Sequence, residues 1–292
     1  MTESSDTVIV WGEVLWDRFP TGDQLGGAPA NVAWHLGQAG GWAQLVTRIG
    51  NDADGERAIA ALEDLVDTSL IQVDPERATG EVTVRVEGGE PRYTLHAGRA
   101  WERIACTEAV AAAIASAGVF VYGTLSQRTP EGLAEWRRAA DVAKRCLRVC
   151  DLNLRAGDQN SPAIADALAV ADLVKVNDKE VAALRDWLGW ADPIAKLRER
   201  TRVLAVTHGA AGSTLYGEGT EIELPGVGAP GGGDNVGCGD AYLAILVYGL
   251  TGGWDLAASG RAASRWAAAV AGVRGATPRF DDERIADLLE AA

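Results

Sequence analysis

Basic residues, long apolar runs and metal-type spacings of cysteine or histidine are all scarce in this 292-residue sequence. With 27 Lys and Arg against 41 Asp and Glu, the formal net charge is −14. A field of that sign repels phosphate backbones, so nucleic acid is not an expected partner. It offers nothing to an anionic membrane either, and an anionic substrate would need locally positive potential in its site. No run of 18 apolar residues occurs, so no membrane-spanning helix is expected. The opening MTESSDTVIV has no basic n-region and no long apolar h-region, so no signal peptide is expected. Cys106, Cys146, Cys150 and Cys238 show no zinc spacing. They read as reduced, mostly buried thiols in a cytoplasmic protein. His35, His96 and His208 share no ligand spacing. The pattern G-x-x-x-x-G-K-[ST] is missing, which excludes a P-loop kinase. GVGAPG at 226–231 does spell G-x-G-x-x-G, but it lies late in the chain and holds Pro230, so a dinucleotide fingerprint is set aside.

What the chain does have is an alternation of short apolar strands with helical segments. TVIVWGEVL (7–15), AQLVTRIG (43–50), VFVYGTL (119–125), LRVCDLNL (147–154), DLVKVN (172–177) and RVLAVTHG (202–209) read as strands. GAPANVAWHLGQAG (27–40) and DGERAIAALEDL (54–65) read as helices, the latter with Ala58, Leu62 and Leu65 on one face. Such alternation indicates βαβ units and a mostly parallel sheet. GEVTVRVEGGEPRYTLHA (80–97) breaks the rhythm as a hairpin with one wet face, and STLYGEGTEIEL (213–224) is a second hairpin. With no low-complexity linker and no repeat of 20–50 residues, residues 1–292 read as one domain bearing a small β appendage.

The stretch GGGDNVGCGDAYLA (231–244) places flexible backbone and an acid at the entrance of a helix expected to begin at Asp240. Gly237, Cys238 and Gly239 can aim backbone N–H groups at one point, where a helix N-terminus carries about half a positive charge. Glycine removes the Cβ that would hold a ligand away. An anion hole with a carboxylate on its rim suits phosphoryl transfer, in which donors hold the moving group and a base takes the hydroxyl proton. A plain helix cap would use the same residue types. Elsewhere, Gly26 and Gly27 lead into Asn31 on the first turn of a helix. Asp17 lies inside an otherwise apolar strand, where a carboxylate needs polar partners and sugar hydroxyls would serve. Arg155 follows a strand of the kind whose C-terminal rim holds ligands, though a surface ion pair would also account for it. Asn177 and Glu180 are spaced either to face one hydrated magnesium ion or to form a capping box.

These segments, in this order, resemble the PfkB, or ribokinase-like, family of carbohydrate kinases. Gly26, Gly27, Asn31, Ala33, Gly40 and Gly50 match its N-terminal signature, and DNVGCGDAYLA (234–244) resembles its D-T-x-G-A-G-D-A-F motif. GEVLWDRFP (12–20), DLNLR (151–155), VKVNDKE (174–180) and VTHGAAGS (206–213) resemble further family segments, and the sequence looks most like bacterial fructokinases. The resemblance implies a three-layer α/β/α sandwich with a mostly parallel central sheet and a β-sheet lid from parts of 12–24 and 80–100. It implies ATP and Mg2+, with Asp240 as base and Gly237, Cys238 and Gly239 around the transferred group. It assigns sugar binding to Asp17, Gly26, Gly27, Asn31 and Arg155, and nucleotide binding to Asn177, Thr207, Gly209, Gly212 and Asp234. Glu180 and Asn177 would meet Mg2+ through water. Fructose is the expected substrate; 2-keto-3-deoxygluconate, ribose, a nucleoside, or a non-catalytic sugar-binding protein are the alternatives. Potassium stimulation and a homodimer through the lid are also implied. Two positions depart from the pattern: Asn235 stands for the usual Thr and Cys238 for the usual Ala. Cys238, if exposed, would confer sensitivity to thiol reagents, and His96 in the lid is a candidate sugar contact.

Overall fold

The computed structural model describes residues 7–87, 90–154, 161–217 and 219–290. The N-terminal part runs β1 (Thr7–Trp11), β2 (Leu15–Phe19), β3 (Gly22–Gly26), α1 (Ala28–Gln38), β4 (Trp42–Val46), β5 (Arg48–Gly50), α2 (Ala53–Leu62) and β6 (Gln72–Asp74). The middle adds β7 (Gly80–Glu87), β8 (Glu90–Leu95), α3 (Glu108–Ser116), β9 (Val119–Tyr122), α4 (Pro130–Val142), β10 (Leu147–Asp151), α5 (Ser161–Val170) and β11 (Leu173–Asn177). The last part comprises α6 (Asp178–Leu188), α7 (Pro193–Arg198), β12 (Val203–Thr207), β13 (Gly212–Gly217), β14 (Thr220–Pro225), α8 (Cys238–Thr251), α9 (Leu256–Ala271) and α10 (Asp282–Leu289).

An eight-stranded sheet in the order β14-β13-β12-β11-β10-β9-β1-β4 forms the centre. It is parallel from β12 to β4, and β13 and β14 close one edge as an antiparallel hairpin. The strands are apolar on both faces because both are covered. Val8 and Val10 of β1, with Val119 and Val121 of β9, pack toward α1, α8 and α9. Ile9, Trp11, Phe120 and Tyr122, one residue out of step, pack toward α3 to α7 on the other side. Three layers follow directly from that two-residue period. α8 is apolar around most of its circumference, with every residue from Ala241 to Val247 buried, because it lies between α1 and α9 as well as on the sheet.

A second, four-stranded sheet has the order β3-β2-β7-β8. Leu15, Val82 and Val84 are buried together on one of its faces, with Phe19 and Leu95 beside them. From its other side Trp16 donates its indole N–H to Asp54 O at 3.0 Å. Arg18 there pairs with Asp54, Asp23 and Glu81.

Two stretches read from sequence as single strands are each divided. The run 7–15 leaves the central sheet after Trp11 and enters the small sheet at Leu15. Gly12 sits at the break, and a Cβ there would lie 2.3 Å from the Pro29 ring. The run 43–50 likewise breaks at buried Thr47, and β5 pairs with β6 in a separate two-stranded sheet. Apolar content alone cannot show that one run serves two sheets. α2 stops at Leu62, so Leu65 lies beyond the helix.

Candidate active site

The parallel strands end together at Trp11, Tyr122, Asp151, Asn177 and Thr207, and the carboxyl edge of such a sheet is where ligands bind. α8 opens onto this edge. It starts at Cys238, two residues earlier than the sequence suggested, because Gly237 serves as N-cap with φ 74° and ψ −2°. No side chain caps this terminus. The N–H groups of Cys238, Gly239 and Asp240 therefore have no acceptor within the helix. A Cβ on Gly237 would lie 2.6 Å from Ala276 Cβ, so the left-handed turn and the close approach both require glycine. Asp240 is half-buried in the first turn, and its Oδ2 accepts from Asn31 Nδ2 at 2.7 Å. Asn31 is itself buried, and among the described residues its Oδ1 has no hydrogen-bond partner.

The glycines before α1 bring Asn31 into place. Gly27, the N-cap, has φ 107°, and a Cβ on it would lie 2.4 Å from Glu13 O. At Gly26 a Cβ would meet Asp17 Oδ2 at 2.5 Å, so the missing side chain leaves room for that carboxylate. Asp17 is half-buried in β2, opposite Gln24 of β3 and Val82 of β7. It shares the apolar face of the small sheet with Leu15 and Phe19. Asp17, Gly26, Gly27 and Asn31 thus form one chain of neighbours that ends at Asp240. Arg155 lies outside the described residues. His96 bonds Thr83 across the hairpin, Nε2 to Oγ1 at 2.8 Å.

Beneath α8 lies a buried charge cluster. Lys175, in β11, bonds Asp151 Oδ1 at 2.8 Å, and both side chains are about 5% exposed. Its Nζ would be 2.9 Å from a Cβ on Gly239. Burial alone would lower the Lys175 pKa, but Asp151, Glu180 and Asp240 together hold it above the usual lysine value. Asp151 Oδ2 is buried, with no hydrogen-bond partner among the described residues. Asp151 is among the residues that line a narrow cavity of about 10 Å3, with Glu13, Asn153 and Thr124. Asn177 and Glu180 form the capping box of α6: Asn177 Oδ1 accepts from Glu180 N at 3.0 Å, and Glu180 Oε2 from Asn177 N at 2.8 Å. Glu180 Oε1 also accepts from Leu154 N at 3.0 Å, which ties α6 to the segment that follows β10. Burial raises the Glu180 pKa against the pull of Lys175 and these donors. Each oxygen keeps further acceptor capacity, enough for a hydrated cation. Among the described residues no group of three or more His, Cys, Asp or Glu converges to hold a bare metal ion.

In the neighbouring strand, register sets Thr207 beside Asn177. Next to them His208 bonds Asp178 at 2.7 Å and Thr214 at 3.0 Å. His208, Ser213, Thr214 and Glu223 line an open cleft of about 410 Å3. Gly209 faces open space, whereas a Cβ on Gly212 would lie 2.0 Å from Leu224 O, so Gly212 serves the β13–β14 pairing. Asp234 accepts from Val236 N at 3.1 Å and Gly275 N at 3.2 Å, knitting the loop ahead of α8. Cys238 does not meet the condition of exposure set for a reagent-sensitive thiol. It is half-buried, and burial with Asp234 and Asp240 pushes its pKa up to about 11.

Glu13, Asp151 and Lys175 were not singled out from sequence. Each is a charge inside or beside an apolar strand, the same signal that marks Asp17.

Among the described residues no helix is long and apolar enough to cross a membrane. Fructokinase-1 of Oryza sativa subsp. japonica is 30% identical over 271 residues, covering 85% of this chain and 84% of that one. A crystal structure of a Xylella fastidiosa fructokinase with bound ATP superposes with a TM-score of 0.87 at 22% identity, covering 98% of both chains. A ribokinase II candidate of Escherichia coli, in complex with ATP and Mg2+, does so with a TM-score of 0.86 at 20% identity, covering 99% of this chain and 100% of that one. At those identities the structures speak for a ribokinase-like fold. The family model described as pfkB family carbohydrate kinase matches residues 20–283, nearly the whole chain, and with it the glycine turns and the acid that meet at α8. The chain belongs to the pfkB family of carbohydrate kinases.

Proposed function

We propose that this carbohydrate kinase transfers the terminal phosphoryl group of ATP to a hydroxyl of fructose, with Asp240 as the base. The observation that carries the reading is the Asn31–Asp240 hydrogen bond, which joins the lining of the small sheet to the uncapped end of α8. Fructose is favoured by the rice fructokinase at 30% identity. ATP and Mg2+ are favoured by the neighbours solved with them, and by a helix terminus that no side chain caps. Bound Mg·ATP supplies the phosphoryl group and the cation that offsets its charge.

The residues of the chain then have separable tasks. Asp17 and Asn31 hold the sugar by its hydroxyls and fix which one faces Asp240. Asp240 takes the hydroxyl proton as the oxygen bonds to phosphorus, and ADP leaves with the electrons of the broken P–O bond. The N–H groups of Cys238, Gly239 and Asp240 face the charge on the moving group. Asn177 and Glu180 are the residues that would hold Mg2+ through its waters. Thr207 and Gly209 lie along the nucleotide cleft, Gly212 and Asp234 shape its borders, and Arg155 completes the sugar side. The small sheet acts as a lid whose closure keeps water from competing for the phosphoryl group. The small sheet is also the element proposed for a lid-to-lid dimer.

The test is ADP release with fructose, 2-keto-3-deoxygluconate, ribose and a nucleoside, each with and without potassium. Fructose should give the highest kcat/KM. Preference for another acceptor would replace the substrate and keep the kinase, whereas silence with every acceptor would favour a sugar-binding protein.

A further inference from the structure

Asn31 is one of three polar residues on α1 that reach the C-terminal part of the chain. Asn31, His35 and Gln38 are spaced i, i+4, i+7 and so share one helix face. Gln38 Nε2 donates to Pro278 O at 3.2 Å, and its Oε1 accepts from Phe280 N at 2.8 Å. His35 lies between, fully buried. Trp266 Nε1, which can only donate, bonds His35 Nδ1 at 3.1 Å. The ring proton therefore sits on Nε2, which donates to Ala276 O at 2.9 Å. Burial lowers the His35 pKa to about 4, against the pull of the Ala276 carbonyl, so the ring is neutral at neutral pH.

Ala276 is also the residue against which the left-handed turn at Gly237 is seated. Its Cα and O would lie 2.7 and 2.8 Å from a Cβ on Gly237. The same loop is tied to the residues ahead of α8 by Gly275 N to Asp234 Oδ2 and Asp234 N to Val273 O, both at 3.2 Å. One helix face thus fixes both halves of the site: Asn31 sets the Asp240 carboxylate, and His35 sets the loop that supports the N–H groups beside it.

We propose that His35 is a positioning residue for phosphoryl transfer, holding the Ala276 carbonyl and through it the turn at Gly237. The inference rests on the reading of the α8 terminus as the phosphoryl cradle. A shift of about 1 Å in such a cradle costs on the order of a hundredfold in rate, while ground-state binding of the sugar is made elsewhere.

The experiment compares His35→Gln, His35→Asn and Trp266→Phe with the wild type, in steady-state kinetics and thermal unfolding. Gln carries an amide nitrogen near the place of Nε2, and the shorter Asn does not reach Ala276. H35N should lose roughly ten- to a hundredfold in kcat, with KM for the sugar within about twofold, and H35Q should recover kcat to within about threefold. W266F removes the donor to Nδ1 but leaves the Ala276 bond; it should melt earlier and keep kcat within about threefold. Wild-type kcat in H35N overturns the proposal, as do equal kcat losses in H35N and H35Q. If H35N does not fold, a kcat loss of tenfold or more in H35Q, which keeps a donor for Ala276 O, overturns it. Silence of the wild type with every acceptor would instead remove the underlying kinase reading.

Discussion

Asn31 Nδ2 and Asp240 Oδ2 are 2.7 Å apart in the fold although 209 residues separate them in sequence. Asn31 is rigid, lying in a helix that is buried almost throughout. Asp240 lies in the first turn of α8, at a terminus that no side chain caps. The bond therefore ties the carboxylate of Asp240, the proposed base, to α1. Asn31→Ala should lower kcat/KM for the sugar by about a hundredfold or more, through loss of both sugar binding and carboxylate orientation. Steady-state kinetics with the best acceptor checks this, and a change under threefold would disconnect Asn31 from the reaction.

The Lys175–Asp151 pair predicts an asymmetric response. Lys175→Met leaves a buried carboxylate without its cation and should cost about 3–5 kcal/mol. Adding Asp151→Leu removes the stranded charge and should restore most of that loss, measured by chemical denaturation in a double-mutant cycle. If the double variant is no more stable than K175M, the pair is not the local unit of stability.

His35 predicts an acid-side loss of stability. Its folded pKa, about 4, lies below its ordinary value of 6.5. The unfolded chain thus takes up the proton first as pH falls. The contribution is complete above about pH 6.5, shrinks by about 1.4 kcal/mol per unit below it, and is exhausted near pH 4. Unfolding free energies from pH 8 to 4 should show a slope that His35→Gln removes, about 3 kcal/mol in all. An unchanged slope in H35Q would assign the acid sensitivity elsewhere.

Much of this was legible in the sequence, and the reasons differ by residue. Gly27 and Gly237 announce themselves because only glycine tolerates φ of 107° and 74° against close backbone. The βαβ rhythm shows the central sheet because strands covered on both faces are apolar throughout. Lys175 and Asp151 escaped because a pair split between two strands has no local spacing. His35 escaped because its partners, Trp266 and Ala276, lie more than 200 residues away. The division of 7–15 between two sheets depends on Pro29 closing over Gly12, a contact that periodicity does not encode. Asn177 and Glu180 show the opposite case: their spacing suits both a cap and a hydrated cation, and the capping box is what the fold makes of it.

Cys238 predicts chemical inertness in a place where a reactive thiol would be conspicuous. With its pKa near 11, only on the order of one thiol in a few thousand is ionised at pH 7.5. Iodoacetamide at that pH should leave activity intact, and inactivation should speed up about tenfold per pH unit toward 10. Rapid inactivation at pH 7.5 that Cys238→Ala abolishes would contradict the assigned environment.

The most direct test of the account is Asp240→Asn, which keeps size and a hydrogen-bonding group for Asn31 but removes the base. ADP release with the best acceptor should fall by on the order of a thousandfold or more, with ATP affinity by calorimetry within about threefold of wild type. Turnover within tenfold of wild type would show that the hydroxyl proton leaves by another route and that Asp240 is not the base.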